Sequence, residues 1–197
     1  MISLNPNPDR KIRTAAVLGS TGSVGSQTMD VIRELGLEVV MLTAGENTAL
    51  LAQQIREFHP EIAAVASEKA AKHLLDEVGD TVRILWKKDE VYDAVRETSA
   101  DMIFHSVAGL EGIGSAMAAA KSGKRVGMAN KEAIIAIGDL IFDTMAQTGG
   151  EMIPVDSEHS AVYRCLEGKD LSDIRKIILT ASGGPFKNST PEELKSV

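Results

Sequence analysis

The sequence has few cysteines and few aromatic residues. Its 197 residues include one cysteine, one tryptophan, two tyrosines and four phenylalanines. A single cysteine excludes an intrachain disulfide and favours a reducing compartment, so we expect a cytoplasmic location. So few aromatic side chains argue against the base-stacking platforms of single-stranded nucleic-acid binders.

The sequence also lacks an excess of basic residues and a long apolar run. Lys and Arg number 21 against 28 Asp and Glu, a formal net charge of −7, whereas nucleic-acid binders present a basic surface. No uncharged apolar stretch reaches the ~18 residues that a membrane span needs. Residues 1–13 lack the apolar core of a secretory signal. We therefore expect no nucleic-acid partner and no membrane segment.

Short β-branched runs alternate with helix-length segments along most of the chain. This alternation predicts a Rossmann-like, doubly wound, mainly parallel α/β sheet with helices on both faces. Several predicted strands are apolar throughout, as expected when both faces are covered. Strands are predicted at residues 14–18, 38–43, 62–65, 82–85, 102–105, 125–128, 151–155 and 174–180, and helices at 24–35, 48–58, 68–78, 89–98 and 112–122.

The alternation weakens after Gly149 and Gly150. We place a domain boundary there, with residues 1–152 forming a nucleotide-binding domain and 153–197 beginning a second, α+β catalytic domain. Thr190 to Glu193 carry a helix-starting pattern, with Thr at the N-cap, Pro at the first position and Glu at the third. Since Val197 follows so soon, we expect the chain to stop within its second domain.

A glycine-rich turn, from Gly19 to Gly25, follows the first predicted strand and opens the first helix. Glycines allow the backbone to approach a pyrophosphate, which then lies at the helix N-terminus. Thr21 and Ser23 add hydroxyl donors. The spacing is looser than the strict dinucleotide fingerprint, and a tight turn without a ligand is the alternative. The strand–turn–helix context favours a dinucleotide.

Glu46 lies 21 residues after Gly25, at the end of the second predicted strand. An acidic side chain at this spacing accepts the ribose 2′-hydroxyl and slightly favours NAD. The alternative is that Glu46 is a solvated loop residue and that Asn47 caps the following helix.

Three further polar clusters follow predicted strands. In the first, Asn130, Lys131 and Glu132 come directly after a strand, where open α/β sheets bind ligands. Lys131 is suited to neutralise a phosphate or polarise a carbonyl. The alternative is that Asn130 is only an N-cap and that the next two residues form a solvated first turn.

The second cluster contains Asp156, Ser157, Glu158 and His159. On an extended chain Asp156 and Glu158 would point to the same side and offer two hard oxygen ligands to Mg²⁺ or Mn²⁺. The alternative is an Asp or Ser N-cap with Glu158 in the first helical turn. The third cluster, around Ser182, is either an amide-rich anion site or a plain turn.

Together these motifs resemble the 1-deoxy-D-xylulose 5-phosphate reductoisomerase family, in order and spacing, from about Thr14 onward. The resemblance rests on Gly-Ser-Thr-Gly-Ser-Val-Gly at 19–25, Ala-Asn-Lys-Glu at 129–132, Pro-Val-Asp-Ser-Glu-His at 154–159 and Thr-Ala-Ser-Gly-Gly-Pro-Phe at 180–186. It implies conversion of 1-deoxy-D-xylulose 5-phosphate, a small phosphorylated sugar, to 2-C-methyl-D-erythritol 4-phosphate in isoprenoid biosynthesis. The implied cofactors are NADPH and Mg²⁺ or Mn²⁺, and the full-length protein is expected to be a homodimer.

The resemblance also implies roles for individual residues. Asp156 and Glu158 would bind the metal and, with Lys131, form the catalytic set. The substrate would contact Lys131, Ser157, Glu158 and, on its phosphate side, Ser182. The cofactor would contact Thr21, Gly22, Ser23, Val24, Gly45, Glu46, Asn47, Asn130 and Glu132.

Two departures from the family pattern affect these expectations. Members often carry a basic residue, suited to the 2′-phosphate of NADPH, where this chain has Glu46. The family is also about twice as long, and its later part supplies further phosphate and metal ligands, so we expect this chain alone to be inactive. A homoserine-dehydrogenase-like oxidoreductase and a non-catalytic nucleotide-binding module are the alternatives.

Overall fold

The first strand, Thr14–Leu18, lies in the middle of the molecule, and its side chains from Ala15 to Leu18 are buried. A strand that is apolar on both sides requires cover on both faces of its sheet. The computed structural model describes residues 9–178 and 184–196. In it, helices pack on both faces of a seven-stranded sheet in which every neighbouring pair of strands is parallel.

Strands and helices alternate along the described chain. The strands are β1 Thr14–Leu18, β2 Glu38–Thr43, β3 Ile62–Ala64, β4 Arg83–Leu85, β5 Met102–His105, β6 Arg125–Met128 and β7 Glu151–Pro154. The helices are α1 Ser23–Leu35, α2 Thr48–Phe58, α3 Glu68–Val78, α4 Lys88–Arg96, α5 Ile113–Lys121, α6 Lys131–Thr148 and α7 Ser157–Leu166. The predicted Rossmann-like α/β fold is therefore confirmed.

The core consists of two apolar layers separated by the sheet. One layer joins alternate residues of β1, such as Ala15 and Val17, to α1, α2 and α3. The other joins Ala16 and Leu18 to α4, α5 and α6. Because successive strand residues point to opposite faces, one strand contributes to both layers.

The sheet order is β4-β3-β2-β1-β5-β6-β7, so the chain reverses its direction of travel between β1 and β5. Open α/β sheets bind ligands at such a switch point, outside the carboxyl ends of the strands. The last residues of all seven strands are paired in one row, Leu85, Ala64, Thr43, Leu18, His105, Met128 and Pro154. We call this the carboxyl row, and the loops that follow it carry the candidate site.

The strand predicted at residues 174–180 is wrong over its described part. Residues 174–178 have no regular secondary structure, Ile177 and Ile178 are exposed, and residues 179–180 lie outside the described chain. A strand needs a neighbour to bond its backbone, and none of the seven described strands pairs with this segment. The domain boundary at residue 152 stays a prediction. This residue lies within β7, which pairs with β6 in the same sheet as the other strands. None of the described helices has the length and apolar character to cross a membrane.

Candidate nucleotide and metal site

In the glycine turn after β1, backbone segments pack so closely that only glycine fits at two positions. Gly19 has a φ of +81°, and a Cβ there would lie 2.9 Å from the Ser106 backbone. A Cβ on Gly25 would lie 2.0 Å from Gly19 O. The Gly19 amide donates to Thr43 O at 3.0 Å. The start of α1 is thereby pressed against the turn, as a pyrophosphate cradle requires.

Ser20 anchors this turn in a way that the sequence did not reveal. Its side chain is buried, and its hydroxyl donates to Gln54 Oε1 at 2.6 Å. Gln54 Nε2 in turn donates to Ser20 O at 3.0 Å. Gln54 lies on α2, well separated in sequence, so no local motif connects the two residues. The reciprocal pair fixes the turn against α2.

A cavity of about 680 Å³ opens above the turn, on the side of the sheet that α4 and α5 cover. Two groups of residues with a predicted cofactor role line it, Thr21 with Gly22, and Gly45 with Glu46 and Asn47. Asn47 also caps α2, since its side chain accepts a hydrogen bond from the Leu50 amide. Ser23 and Val24 are the first two residues of α1. The cofactor roles of all these residues stay predictions.

The same cavity is lined by residues that sequence reasoning missed. They lie in the segments that follow β4 and β5, namely Trp86, Lys88, Tyr92, Ser106 and Glu111. Trp86 and Ser106 directly follow the carboxyl row. That position was the only available sequence signal for them.

Asn130 connects this cavity to the neighbouring cluster. Its Oδ1 accepts a hydrogen bond from the Ala133 amide and caps α6, while its Nδ2 donates to Val107 O and Gly109 O. Asn130 is buried, and Val107 lines the cavity. Asn130 therefore shapes the cavity wall through the Val107–Gly109 backbone. Its predicted contact with the cofactor, and that of exposed Glu132, stay predictions.

Three charged side chains meet where β6 and β7 end. Lys131 Nζ lies 2.6 Å from Glu158 Oε2 and 3.7 Å from Asp156 Oδ1. Met128 and Pro154 are partners in the carboxyl row, so α6 and the segment after β7 begin side by side. We call Lys131, Asp156 and Glu158 the carboxylate–lysine cluster.

The extended chain considered for Asp156 and Glu158 is wrong. Asp156 is the N-cap of α7, and its Oδ1 accepts a hydrogen bond from the His159 amide at 3.0 Å. Helix formation satisfies amides that an extended chain would leave without partners. Even so, both carboxylates approach Lys131. Ser157 lies between them and donates from its hydroxyl to Glu158 Oε2 at 2.9 Å.

Lys131 and Glu158 are both charged at neutral pH. The hydrogen bond from Lys131, followed by those from the Glu158 amide and Ser157, lowers the pKa of Glu158 to about 2. The same Glu158 contact raises the pKa of Lys131. Lys131 and Glu158 are about half exposed, whereas the Asp156 side chain is only 10% exposed, so the cluster is open to solvent on the Lys131–Glu158 side.

The cluster fits a metal site in part. Two carboxylates already surround one cation, the Lys131 ammonium, and carboxylate oxygens suit Mg²⁺ or Mn²⁺. Within residues 9–178 and 184–196, no three His, Cys, Asp or Glu side chains group as a metal site. Asp156 and Glu158 therefore fit as two ligands of a larger set. Ser182, predicted to contact the substrate phosphate, lies outside the described residues.

Two family models match the chain. The model for 1-deoxy-D-xylulose 5-phosphate reductoisomerase matches residues 15–138, and the model for the C-terminal domain of the same enzyme matches residues 152–197. The chain belongs to the 1-deoxy-D-xylulose 5-phosphate reductoisomerase family. The resemblance drawn from the motifs is thus confirmed, and the homoserine-dehydrogenase-like alternative is excluded.

Individual reductoisomerases are similar over almost the whole chain. The protein from Thermoanaerobacter sp. (strain X514) is 39% identical over 188 residues, which cover 94% of this chain and 49% of the relative. That from Lachnoclostridium phytofermentans is 42% identical, with 94% and 48% coverage. The chain therefore spans about half the length of the curated reductoisomerases it matches.

Solved reductoisomerase structures share the fold. The Zymomonas mobilis enzyme in complex with NADPH has a TM-score of 0.81 and 33% identity, covering 95% of this chain and 50% of that one. A reductoisomerase in complex with NADPH, fosmidomycin and magnesium has a TM-score of 0.73 and 31% identity, covering 78% and 39%.

Proposed function

We propose that this chain is the amino-terminal half of an enzyme that converts 1-deoxy-D-xylulose 5-phosphate to 2-C-methyl-D-erythritol 4-phosphate with NADPH and Mg²⁺ or Mn²⁺. In this proposal residues 1–152 bind the cofactor and residues 153–197 begin the catalytic domain. Family membership supports it, as do the NADPH and magnesium in the related structures.

The observation that carries the proposal is the carboxyl row. It aligns the glycine turn after Leu18 with the carboxylate–lysine cluster after Met128 and Pro154. Only β5 lies between β1 and β6, and neighbouring strands are about 5 Å apart. A cofactor bound at the turn therefore needs to extend across few strands to bring its reactive end to the cluster.

The proposed function gives separate roles to the metal-binding carboxylates, the lysine and the two serines of the site. Asp156 and Glu158 would hold the divalent cation, which when bound supplies Lewis-acid polarisation of the substrate's carbonyl and hydroxyl oxygens. Lys131 carries a positive charge beside the same carboxylates and is placed to bind a substrate oxygen. Ser157 orients Glu158 through its hydroxyl, and Ser182 is assigned to the substrate phosphate.

Calorimetric titration of the 197-residue chain with NADPH and with Mn²⁺ tests the proposal. We expect clear NADPH binding and weak Mn²⁺ binding, because only two carboxylates converge in the described residues. We also expect no NADPH oxidation with 1-deoxy-D-xylulose 5-phosphate by this chain alone. Metal binding without nucleotide binding would contradict the assignment of the cavity, and turnover would contradict the inactivity.

We further propose that the protein is cytoplasmic, has no nucleic-acid partner and is a homodimer at full length. The single cysteine supports a cytoplasmic location. The acidic net charge of −7 supports the absence of a nucleic-acid partner. A homodimer of the full-length protein follows from the family resemblance, and sedimentation of the full-length protein would test it.

A further inference from the structure

Glu46 creates an electrostatic problem for the proposed cofactor. It is exposed and lines the cavity beside Gly45, immediately after β2. The 2′-phosphate of NADPH belongs near this position in a Rossmann-type fold, and a carboxylate there repels it. A positive charge must come from elsewhere in the cavity for NADPH to be favoured.

The carboxyl row indicates where that charge lies. Leu18, Thr43, Ala64 and Leu85 are successive partners across β1, β2, β3 and β4. Parallel neighbours are about 5 Å apart, so the segments after these strands are spaced evenly along one edge. A dinucleotide with its pyrophosphate at the β1 turn and a ribose beside the end of β2 therefore directs its adenine toward the ends of β3 and β4.

Trp86 occupies that end of the cavity. It is the only tryptophan in the chain, is half-buried, and follows Leu85 directly. It also borders a second cavity of about 310 Å³, so its indole stands between the two. The Lys87 ammonium lies 5.5 Å from the ring centroid. The ring packs partly against the apolar layer of α1, α2 and α3, and its remaining surface lines the cavity, where a flat aromatic ring is suited to stack on a base.

Lys88 lies beside it with an ammonium group that is available to a ligand. Its only described ion pair joins it to Glu111 at 3.6 Å, and the two side chains are 75% and 84% exposed. Both residues line the cavity. Exposed pairs of this kind contribute little, so a phosphate with nearly two negative charges would displace Glu111 readily.

We propose that Trp86 and Lys88 form the adenosine subsite, with the Trp86 indole stacking on the adenine and Lys88 binding the 2′-phosphate in place of a basic residue at position 46. This proposal rests on the proposed function, because it requires a dinucleotide in the cavity. In this proposal the preference for NADPH over NADH comes from Lys88, in the segment after β4, and not from the segment after β2 that contains Glu46. Glu46 then weakens the selectivity that Lys88 provides.

The fluorescence of Trp86 tests the stacking without any substitution. We expect 2′,5′-ADP, which contains only the adenosine half of NADPH, to quench it with saturation, whereas nicotinamide mononucleotide leaves it unchanged. Unchanged emission at concentrations of 2′,5′-ADP that displace NADPH would overturn the placement of the adenine. Calorimetry with Trp86→Leu should then show NADPH and NADH weakened to the same degree, roughly tenfold, with Trp86→Phe near the parent.

The role of Lys88 is tested by comparing the affinities of the chain for NADPH and NADH. Lys88→Gln should weaken NADPH roughly tenfold and NADH by less than about twofold, because only NADPH carries the 2′-phosphate. Lys69→Gln is the control, since it removes the same charge from an exposed position on α3 that does not line the cavity. Equal effects of the two substitutions on NADPH, or equal effects of Lys88→Gln on both cofactors, would overturn the proposal. Failure of the parent chain to bind either dinucleotide would instead overturn the proposed function itself.

Discussion

The Lys131 ammonium and the Glu158 carboxylate lie 2.6 Å apart although they belong to the first turns of different helices, α6 and α7. Asp156 Oδ1 is 3.7 Å from the same nitrogen. The lysine thus takes the place that a divalent cation would take between two carboxylates. Lysine and metal are therefore expected to compete for these oxygens in the chain alone.

Substitution of Lys131 by Gln should strengthen Mn²⁺ binding to the chain. Removing a cation from beside two carboxylates removes a competitor, and for exposed charges we expect a gain of roughly two- to fivefold in affinity. Glu158→Gln should have the opposite effect. Electron paramagnetic resonance of free Mn²⁺ measures both. Lys72→Gln is the control because Lys72 pairs only with Glu68 among the described ion pairs; a gain of the same size there would show that net charge alone is responsible.

Gly25 and Gly45 should differ sharply in their tolerance of alanine. A Cβ on Gly25 would lie 2.0 Å from Gly19 O, whereas a Cβ on Gly45 would meet no heavy atom within 4 Å. Backbone has to move to accept the first, so Gly25→Ala should lower the free energy of unfolding by roughly 2–3 kcal/mol. Gly45→Ala should leave it unchanged within about 0.5 kcal/mol. Urea unfolding checks both, and equal stabilities would contradict the close approach of α1 to the turn.

The fold was largely predictable because its signals are local. Apolar runs such as Val39–Leu42 specify buried strands, and capping residues such as Asn47 specify helix starts. The capping pattern near the chain end also forms, with the Thr190 amide donating to Glu193 Oε2 at 2.7 Å. The segment predicted as a strand at 174–180 failed because apolar character does not supply the neighbour that a strand needs.

The site was predictable only where a motif lies on one segment. The glycine turn is a local pattern, so its position could be inferred from spacing. The approach of Asp156 and Glu158 to Lys131 instead depends on the pairing of β6 with β7. The Ser20–Gln54 pair and the position of Trp86 in the cavity lining arise from contacts between segments distant in sequence. The first contact joins the turn after β1 to α2, and the second depends on the strand order, in which β4 lies three strands from β1.

The buried histidine of β5 should make stability depend on pH. Burial lowers the pKa of His105 to about 4, from an ordinary 6.5. The unfolded state then binds more protons between these values, so stability is complete above pH 6.5 and falls as the pH decreases toward 4. We expect a loss of about 2 kcal/mol between pH 7 and pH 5 from this residue.

Urea unfolding at several pH values checks this expectation. His105→Gln removes the titration and keeps a group able to bond Gly112 O or Ser115 Oγ, the partners of His105 Nε2. The variant should be less stable at pH 7 but show a flatter pH dependence from pH 7 to pH 5. A variant with the parent's slope would show that another group titrates. The comparison stays above pH 5 because the pKa of Asp101, which accepts backbone hydrogen bonds from Arg13 and Thr14, is lowered.

For NADPH affinity, the side-chain nitrogen of Asn130 should matter more than its side-chain oxygen. Asn130→Asp keeps the oxygen that caps α6 but loses the donor to Val107 O and Gly109 O, and it places a negative charge against both carbonyls. Because Val107 lines the cavity, NADPH binding should weaken by roughly tenfold or more. Ser122→Ala is the control, since it removes a hydrogen bond to the Ala119 carbonyl at the end of α5, outside the cavity lining, and should cost about 1 kcal/mol of stability with NADPH affinity unchanged. Calorimetry and urea unfolding separate the two effects. Parent-like NADPH affinity in Asn130→Asp would show that the hydrogen bonds from Asn130 Nδ2 to Val107 O and Gly109 O do not shape the cavity.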